Sequence, residues 1–246
     1  MMKKILFLIS CLLFSFISIS QNLNIEVTYQ KALKKYNDET SNPPKILKGL
    51  NYLLKSNKES AIFTFEKSLQ IDGANQRFVG RGGGKGVYYK NLKDTIRLEQ
   101  KETVDGDLFL ISDKYSKYNW TLSKESKKIG KYICFKATTT YQEFNPIKKK
   151  MTNFNIIVWY TPEIPLPYGP AGYDGLPGLV LESRNGSFYF IASEIKIKDS
   201  SLNKIKMPQK GKKVTLQEFN IIINKKMESV FGKNFYEKFK KNKKGN

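Results

Sequence analysis

The chain has 246 residues, of which 43 are lysine or arginine and 22 are acidic, so its formal net charge is +21. It contains no histidine, which excludes Ser-His-Asp and Cys-His catalysis and histidine-ligated zinc. Arginine, which favours bidentate contacts to guanine and phosphate, accounts for only four of the basic residues. We therefore expect no nucleic-acid partner, but a salt-sensitive attraction to anionic surfaces of the cell envelope.

The N terminus carries the pattern of a secretory signal peptide. Lys3 and Lys4 precede an apolar run over residues 5–19, and the small residues Ser18 and Ser20 stand before a cleavage point. The run is shorter than the roughly 20 residues that a membrane-spanning helix needs. Lipidation at Cys11 is a further alternative, but it would leave an apolar stub on the mature protein. We predict cleavage after Ser20, a periplasmic or secreted protein, and no transmembrane span after cleavage.

The mature chain would retain a single cysteine, Cys134. One cysteine cannot form an internal disulfide, so the fold does not depend on one even in an oxidising compartment. We expect Cys134 to be a small buried apolar residue of a strand, with a reactive or metal-binding thiol as the alternative.

Short apolar segments separated by turn residues recur along most of the chain. Alternation begins at Leu23, which is typical of a half-buried strand. Further strand-like segments cover 50–54, 61–65, 87–89, 94–99, 108–112, 119–122, 132–141, 153–160, 179–183 and 187–196. Asn185-Gly186, between the last two, is a strong hairpin signal. The pattern predicts a mainly β single domain over residues 21–246: a curved antiparallel sheet or partly open barrel of about ten short strands.

Two further segments interrupt or follow these strands. Residues 72–86 are predicted to be a loop, and its glycine-rich end (residues 80–86) lacks the Ser or Thr that a phosphate-binding P-loop requires after its lysine. Arg81 and Lys85 in this glycine-rich loop could still help to hold an anionic ligand. At the C terminus, Thr215 and Glu218 fit a capping box, which predicts a helix over about 215–241.

The connection whose conformation is most constrained by its residues is the Pro/Gly loop, residues 161–178. It lies between apolar runs at 154–160 and 179–182. Proline fixes φ and glycine admits positive φ, so the conformation of this loop is set by its own residues. The candidate binding residues in and beside it are Trp159, Tyr160, Glu163, Tyr168, Tyr173 and Asp174. The aromatic rings can form a ligand platform, or they can be core residues under a lid.

Glu163 and Asp174 also suggest a second kind of chemistry. Two carboxylates brought together by one loop can act as acid and base, as in glycosidases. The alternative is that Asp174 organises a turn and Glu163 is solvated or paired with lysine. Asp105 and Asp107 lack the full ligand set of a calcium loop. We predict no metal, no cofactor and no catalytic residue.

Two blocks of residues within about 119–183 carry a family resemblance. Its positions are Trp120, Tyr132, Cys134, Lys136, Ala137, Glu163, Ile164, Pro165, Gly169, Pro170, Gly175, Leu176, Pro177, Gly178 and Leu179. They resemble the GLPGLI family, a group of secreted proteins of Bacteroidetes with no established activity, with Val180 where the family name has isoleucine. The resemblance implies a mostly β envelope domain and names no catalytic residue.

The sequence alone therefore favours an exported, non-catalytic binding or carrier module for an apolar, peptide or glycan ligand, with the Pro/Gly loop as one wall of a cleft. A carboxylate-dependent hydrolase and a structural or assembly component of the envelope are the alternatives. A concave, mostly apolar pocket of a few hundred cubic ångström beside the loop would favour binding.

Overall fold

A computed structural model of the chain describes residues 23–35, 42–67, 71, 73–103, 105–145, 150–198 and 205–231. The predicted signal peptide and the predicted helical residues 232–241 lie outside the described residues. The strands are β1 Asn24–Leu33, β2 Lys45–Ser56, β3 Ser60–Glu66, β4 Val87–Asn91, β5 Ile96–Glu102, β6 Leu108–Ser112, β7 Thr121–Ile129, β8 Tyr132–Asn145, β9 Lys150–Thr161, β10 Leu179–Asn185, β11 Phe188–Lys198 and β12 Lys212–Thr215. The helices are α1 Gly73–Gln76 and α2 Leu216–Phe231, and Pro170–Gly172 forms a 3-10 turn.

All twelve strands belong to one sheet, in the order β12-β6-β5-β4-β3-β2-β1-β11-β10-β9-β8-β7. The strands β2 to β6 and β7 to β11 form two meanders, and β1 joins them because it pairs with both β2 and β11. Every pair is antiparallel except β12 with β6, which is parallel. The first strand of the domain therefore lies at the centre of the sheet, with a complete meander on each side.

The core lies on one face of this sheet and is rich in aromatic side chains. Tyr29, Tyr52, Phe63 and Phe190 point to the same face from four successive strands and are at most 1% exposed. The Tyr52 and Phe63 rings stack with centroids 5.5 Å apart, and Phe190 meets both rings edge-on. In β1 and β2 buried and more exposed residues alternate, so each of these strands turns one face to the core.

The mainly β fold with a C-terminal helix is confirmed. Each strand-like segment of the sequence overlaps a strand, and the Asn185-Gly186 hairpin joins β10 to β11. The Thr215 backbone N–H donates to Glu218 at 2.7 Å and the Glu218 N–H donates to the Thr215 hydroxyl at 3.2 Å, which is the predicted capping box.

Several boundaries differ from the prediction. The parallel strand β12 was not predicted, because its four residues carry three polar side chains and little alternation. β2 and β7 are longer than predicted, since lysine and serine occupy their outward positions. The predicted loop 72–86 contains the short helix α1. Residues 94 and 95 belong to a turn, with Thr95 at φ +53°, so β5 begins at Ile96.

Candidate functional site

A cavity of about 600 Å³ lies on the core side of the sheet, next to the Pro/Gly loop. The glycine-rich loop forms one wall, and Gly169 to Asp174 form another. Side chains of β4 and β5 line the cavity together with Tyr141 of β8 and Phe154 of β9. These strands are far apart in the sheet order, so the sheet curves around the cavity.

Asp174 is the electrostatic centre of the cavity floor. Its carboxylate accepts from Lys90 Nζ at 2.6 Å and from Arg97 Nη1 at 2.6 Å, and all three side chains are at most 8% exposed. Arg97 Nη2 also donates to the Gly172 carbonyl at 2.9 Å. The two cations come from β4 and β5, so they tie the Pro/Gly loop to strands on the far side of β1.

A network of hydrogen bonds gives the Pro/Gly loop a fixed backbone. The indole N–H of Trp120 donates to the Asp174 carbonyl at 2.8 Å, and the Tyr29 hydroxyl donates to the Val180 carbonyl at 2.5 Å. Within the loop, the Leu179 N–H donates to Ile164 and the Val180 N–H to Tyr168, each at 3.0 Å. The loop is thus part of the core, not a mobile flap over it.

The glycine-rich loop is held from below by Lys31 of β1. The Lys31 ammonium donates to the carbonyls of Phe78 at 3.1 Å, Val79 at 2.8 Å and Gly83 at 2.7 Å, and its ring contacts include Phe190 at 4.8 Å. Lys31 is 0% exposed, and no carboxylate in the described part of the chain lies within ion-pair distance. Burial lowers the pKa of Lys31 to about 7.

Close packing fixes the path of this loop as well. Gly84 has φ +101°, and a β-carbon there would lie 2.6 Å from the Tyr52 ring. The Gly84 backbone N–H donates to the Tyr88 hydroxyl at 3.3 Å. Glycine is therefore required where the loop passes over the aromatic core.

Aromatic rings supply much of the remaining lining. Tyr118, Tyr141 and Phe154 form a continuous series, with centroids 5.4 Å apart at each step. Tyr173 extends it, 5.7 Å from Tyr118. Ring faces of this kind contact the apolar faces of sugars, aromatic groups and lipid chains.

Tyr168 lines the cavity, but its hydroxyl is buried. It is 1% exposed, and its hydroxyl has no hydrogen-bond partner among the described residues. Burial raises the pKa of Tyr168, so the hydroxyl stays protonated. The hydroxyl is therefore a buried donor without an acceptor among the described residues, enclosed by protein.

The predicted binding residues fall into two groups. Tyr168, Tyr173 and Asp174 line the cavity. Trp159 points to the opposite face of β9, where Lys127 Nζ lies 4.5 Å from its ring, and Tyr160 packs in the core against Phe135. Glu163 is exposed, and its carboxylate accepts from the Ile133 backbone N–H at 2.7 Å.

The structure therefore does not place Glu163 and Asp174 together in the cavity. Glu163 is not a lining residue, and Asp174 is already bonded to two buried cations. An acid–base pair needs both carboxyl groups at the substrate, and Glu163 lies outside the cavity while Asp174 is held as an ion-paired carboxylate. In the described residues, no group of three or more Cys, Asp or Glu side chains could hold a metal ion.

The residues of the GLPGLI-like blocks lie in the core, in the Pro/Gly loop, or in and next to the strands β7 and β8. Cys134, Ala137 and Leu179 are 0% exposed, and Ile164 and Leu176 are also in the core. Of the remaining positions, Trp120 directly precedes β7, and Tyr132 and Lys136 lie in β8. The others lie in the Pro/Gly loop: Glu163, Pro165, Gly169, Pro170, Gly175, Pro177 and Gly178. Lys136 pairs with Glu125 at 3.0 Å near the surface. Burial raises the pKa of Cys134 to about 11, as expected of an inert thiol.

Sequence reasoning missed Lys31, Lys90 and Arg97. Lysine is so abundant that Lys31 and Lys90 gave no signal, although each falls at an inward position of a strand. Arginine is rare in the chain, and two of its four arginines, Arg81 and Arg97, line the cavity. The rarity of arginine is therefore the sequence signal that could have identified Arg97.

Comparisons with known proteins find a family model that matches part of this region. Residues 142–182 match the model of Porph_ging, described as a protein of unknown function. The match includes β9, the Pro/Gly loop and most of β10, and therefore the whole cavity wall from Gly169 to Asp174. No curated protein matches the chain.

The fold is similar to that of solved structures. A structure of PNGF-II in space group C2 aligns with a TM-score of 0.55 and 18% identity over 82% of this chain, and one in space group P21 with a TM-score of 0.53 and 18% identity over 82%. The chain spans about a third of the length of each PNGF-II chain, 32% and 33%. At this identity the similarity is one of fold alone. In the described part of the chain, no helix is long and apolar enough to cross a membrane.

Proposed function

We propose that this chain is a non-catalytic binding or carrier module whose ligand occupies the cavity between the glycine-rich loop and the Pro/Gly loop. The observation that carries the proposal is the cavity itself, about 600 Å³ in volume, with the aromatic series on one side and charged groups on its floor. Pockets of this size and mixed lining are typical of small-ligand sites.

The walls of the cavity are built to keep their shape. The buried Lys90–Asp174–Arg97 pairs fix the Pro/Gly loop, and Lys31 fixes the glycine-rich loop. A preformed site loses little conformational entropy when a ligand binds, which favours affinity. The same rigidity favours a binding module over an enzyme with a closing lid.

The proposed setting is the cell envelope. The signal-peptide pattern at residues 1–20 supports export to the periplasm or beyond, and the GLPGLI-like blocks support kinship with secreted envelope proteins. The excess of 21 positive charges supports attraction to anionic envelope surfaces, which salt would weaken.

A hydrolase that uses Glu163 and Asp174 receives little support from the geometry described above. A purely structural role would leave the cavity without a ligand, so ligand binding distinguishes it from our proposal.

Native mass spectrometry of the protein purified from the cells that make it tests this proposal. We expect a co-purified small molecule that is lost in Ser187→Trp, since Ser187 is a half-buried hairpin residue lining the cavity. Ser126→Trp, on the exposed face of the edge strand β7, is the matched control and should retain the molecule. Unliganded wild-type protein, or equal retention in both variants, would contradict the proposal.

A further inference from the structure

The charges that line the cavity are unbalanced. Six basic and three acidic side chains line it, an excess of three positive charges. Each acid is already paired with a base of the same lining: Asp174 with Lys90 and Arg97, Asp113 with Lys117 at 2.9 Å, and Glu99 with Lys101 at 3.6 Å.

Arg81 and Lys85 are the basic lining residues without an acidic partner in the described residues. Both belong to the glycine-rich loop and are exposed, so they stand at the mouth of the cavity. The Arg81 guanidinium lies 5.5 Å from the centroid of the Phe78 ring, a contact that leaves its donors available. These two side chains can therefore bind an anion without breaking an ion pair.

The backbone of the loop holds the two side chains in place. The Arg81 N–H donates to the Phe78 carbonyl at 3.2 Å, and the Gly83 N–H donates to Gly80 at 3.3 Å. The stem of Lys85 packs so closely on Gly80 that a β-carbon there would lie 3.2 Å from Lys85 Cβ. Lys31 fixes the carbonyls of Phe78 and Gly83 from beneath. An anion would thus meet cations that are partly preorganised.

We infer that the ligand of this cavity is a small ring compound bearing an acidic group, a carboxylate, phosphate or sulfate, which Arg81 and Lys85 bind. This inference rests on the proposed function, since it specifies the ligand of the same cavity. Charge-assisted hydrogen bonds would fix the acidic group at the mouth. The ring would lie inside the cavity, against the aromatic lining.

Isothermal titration calorimetry with matched probes tests the inference. The probes are glucuronate against glucose, and phenyl phosphate against phenol, each titrated into the wild-type protein at low salt. We expect each acidic probe to bind at least about tenfold more tightly than its uncharged counterpart, because each charge-assisted contact contributes more than a neutral one. Raising the salt concentration should reduce the difference in affinity between each acidic probe and its uncharged counterpart. The preferred acidic probe also identifies the scaffold, sugar or aromatic.

The double variant Arg81→Gln/Lys85→Gln removes both cations from exposed positions, so the fold should be retained. It should lower the affinity for the acidic probes about tenfold or more and leave the affinity for the uncharged probes unchanged. Lys93→Gln/Lys128→Gln removes the same charge from exposed positions outside the cavity and is the control. An equal loss in the control would show a general effect of charge and overturn the inference.

The outcomes separate this inference from the proposed function. Equal affinity for charged and uncharged probes would overturn the inference while leaving the cavity as a binding site. Failure of both acids to bind at millimolar concentration would also overturn it. The co-purified ligand, detected independently by native mass spectrometry, decides the proposed function itself.

Discussion

Asp174 and Arg97 are 77 residues apart in the chain, yet their side chains form a buried ion pair with Nη1 and Oδ2 2.6 Å apart. Arg97 lies on β5 and Asp174 in the Pro/Gly loop that leads into β10, and five strands separate β5 from β10 in the sheet order. This pair, with Lys90, closes the loop across the core face of the sheet. The cavity exists because the loop is held there.

Replacing Asp174 by asparagine should therefore destabilise the protein strongly. The change leaves Lys90 buried without an acidic partner and Arg97 with only the more distant Asp113, 3.9 Å away. Breaking a buried ion pair costs about 3 to 5 kcal/mol. Urea denaturation followed by circular dichroism would measure the free energy of unfolding. Glu163→Gln is the matched control: that carboxylate is exposed, and we expect a loss of about 1 kcal/mol or less. Equal losses in the two variants would refute the structural role of Asp174.

Two glycines of the GLPGLI-like segment should differ sharply in their tolerance of alanine. A β-carbon at Gly178 would lie 2.1 Å from the Thr161 carbonyl oxygen, whereas one at Gly175 meets nothing within 4 Å. Gly175→Ala should cost about 1 to 2 kcal/mol, since φ there is +88°. Gly178→Ala adds a backbone clash and should cost roughly 3 to 5 kcal/mol. Thermal unfolding of both variants would rank them, and the reverse order would contradict this account.

Lys31 should make stability depend on pH above neutrality. Burial lowers its pKa in the folded state to about 7, while the unfolded chain should titrate near 10.4. Between these values the unfolded state binds more protons, so the free energy of unfolding rises with pH, by roughly 2 kcal/mol from pH 7 to pH 9. The slope falls as the pH drops through 7 and vanishes well below it, where Lys31 is protonated in both states.

The variant Lys31→Met isolates this effect, because it removes the ionisable group and keeps much of the apolar volume. Unfolding in urea at pH 6, 7, 8 and 9 would measure the free energy of unfolding of both proteins. The value for the wild type minus the value for the variant should increase above pH 7. A difference that stays constant across the series would show that Lys31 does not titrate there.

Cys134 should be unreactive in the folded protein. Its side chain is 0% exposed, and burial raises the pKa of its thiol to about 11, so little thiolate forms at pH 8. In a chain starting at Gln21, which has no other cysteine, we expect no reaction with a disulfide reagent at pH 8 until denaturant is added. Rapid modification of the native protein would point instead to a reactive thiol.

Local sequence patterns predict most of the strands, but not the pairing of strands that lie far apart in the sequence. The alternation of β1, the Asn185-Gly186 turn and the Thr215–Glu218 capping box each depend on residues close in sequence, so they were visible before the structure. The parallel pairing of β12 with β6 joins segments about 100 residues apart, and nothing local signals it.

The same difference between local and long-range contacts explains which residues of the cavity could be predicted from the sequence. Tyr168, Tyr173 and Asp174 were identified because the Pro/Gly loop concentrates them in one segment. Their partners Lys90 and Arg97 come from other strands, and in a chain with 43 basic residues a lysine at an inward strand position carries little information. The contrast between Glu163 and Asp174 could not be predicted either, because it depends on which side of the loop faces the core.

The central claim is that the cavity between the two loops holds the ligand, and crystallography of the protein with phenyl phosphate tests it most directly. The account predicts electron density inside the cavity, with the phosphate contacting Arg81 and Lys85 and the ring among the aromatic side chains. The same crystals of Arg81→Gln/Lys85→Gln should lack the bound phosphate. Density for the compound only at the outer surface, with the cavity unchanged, would contradict the account.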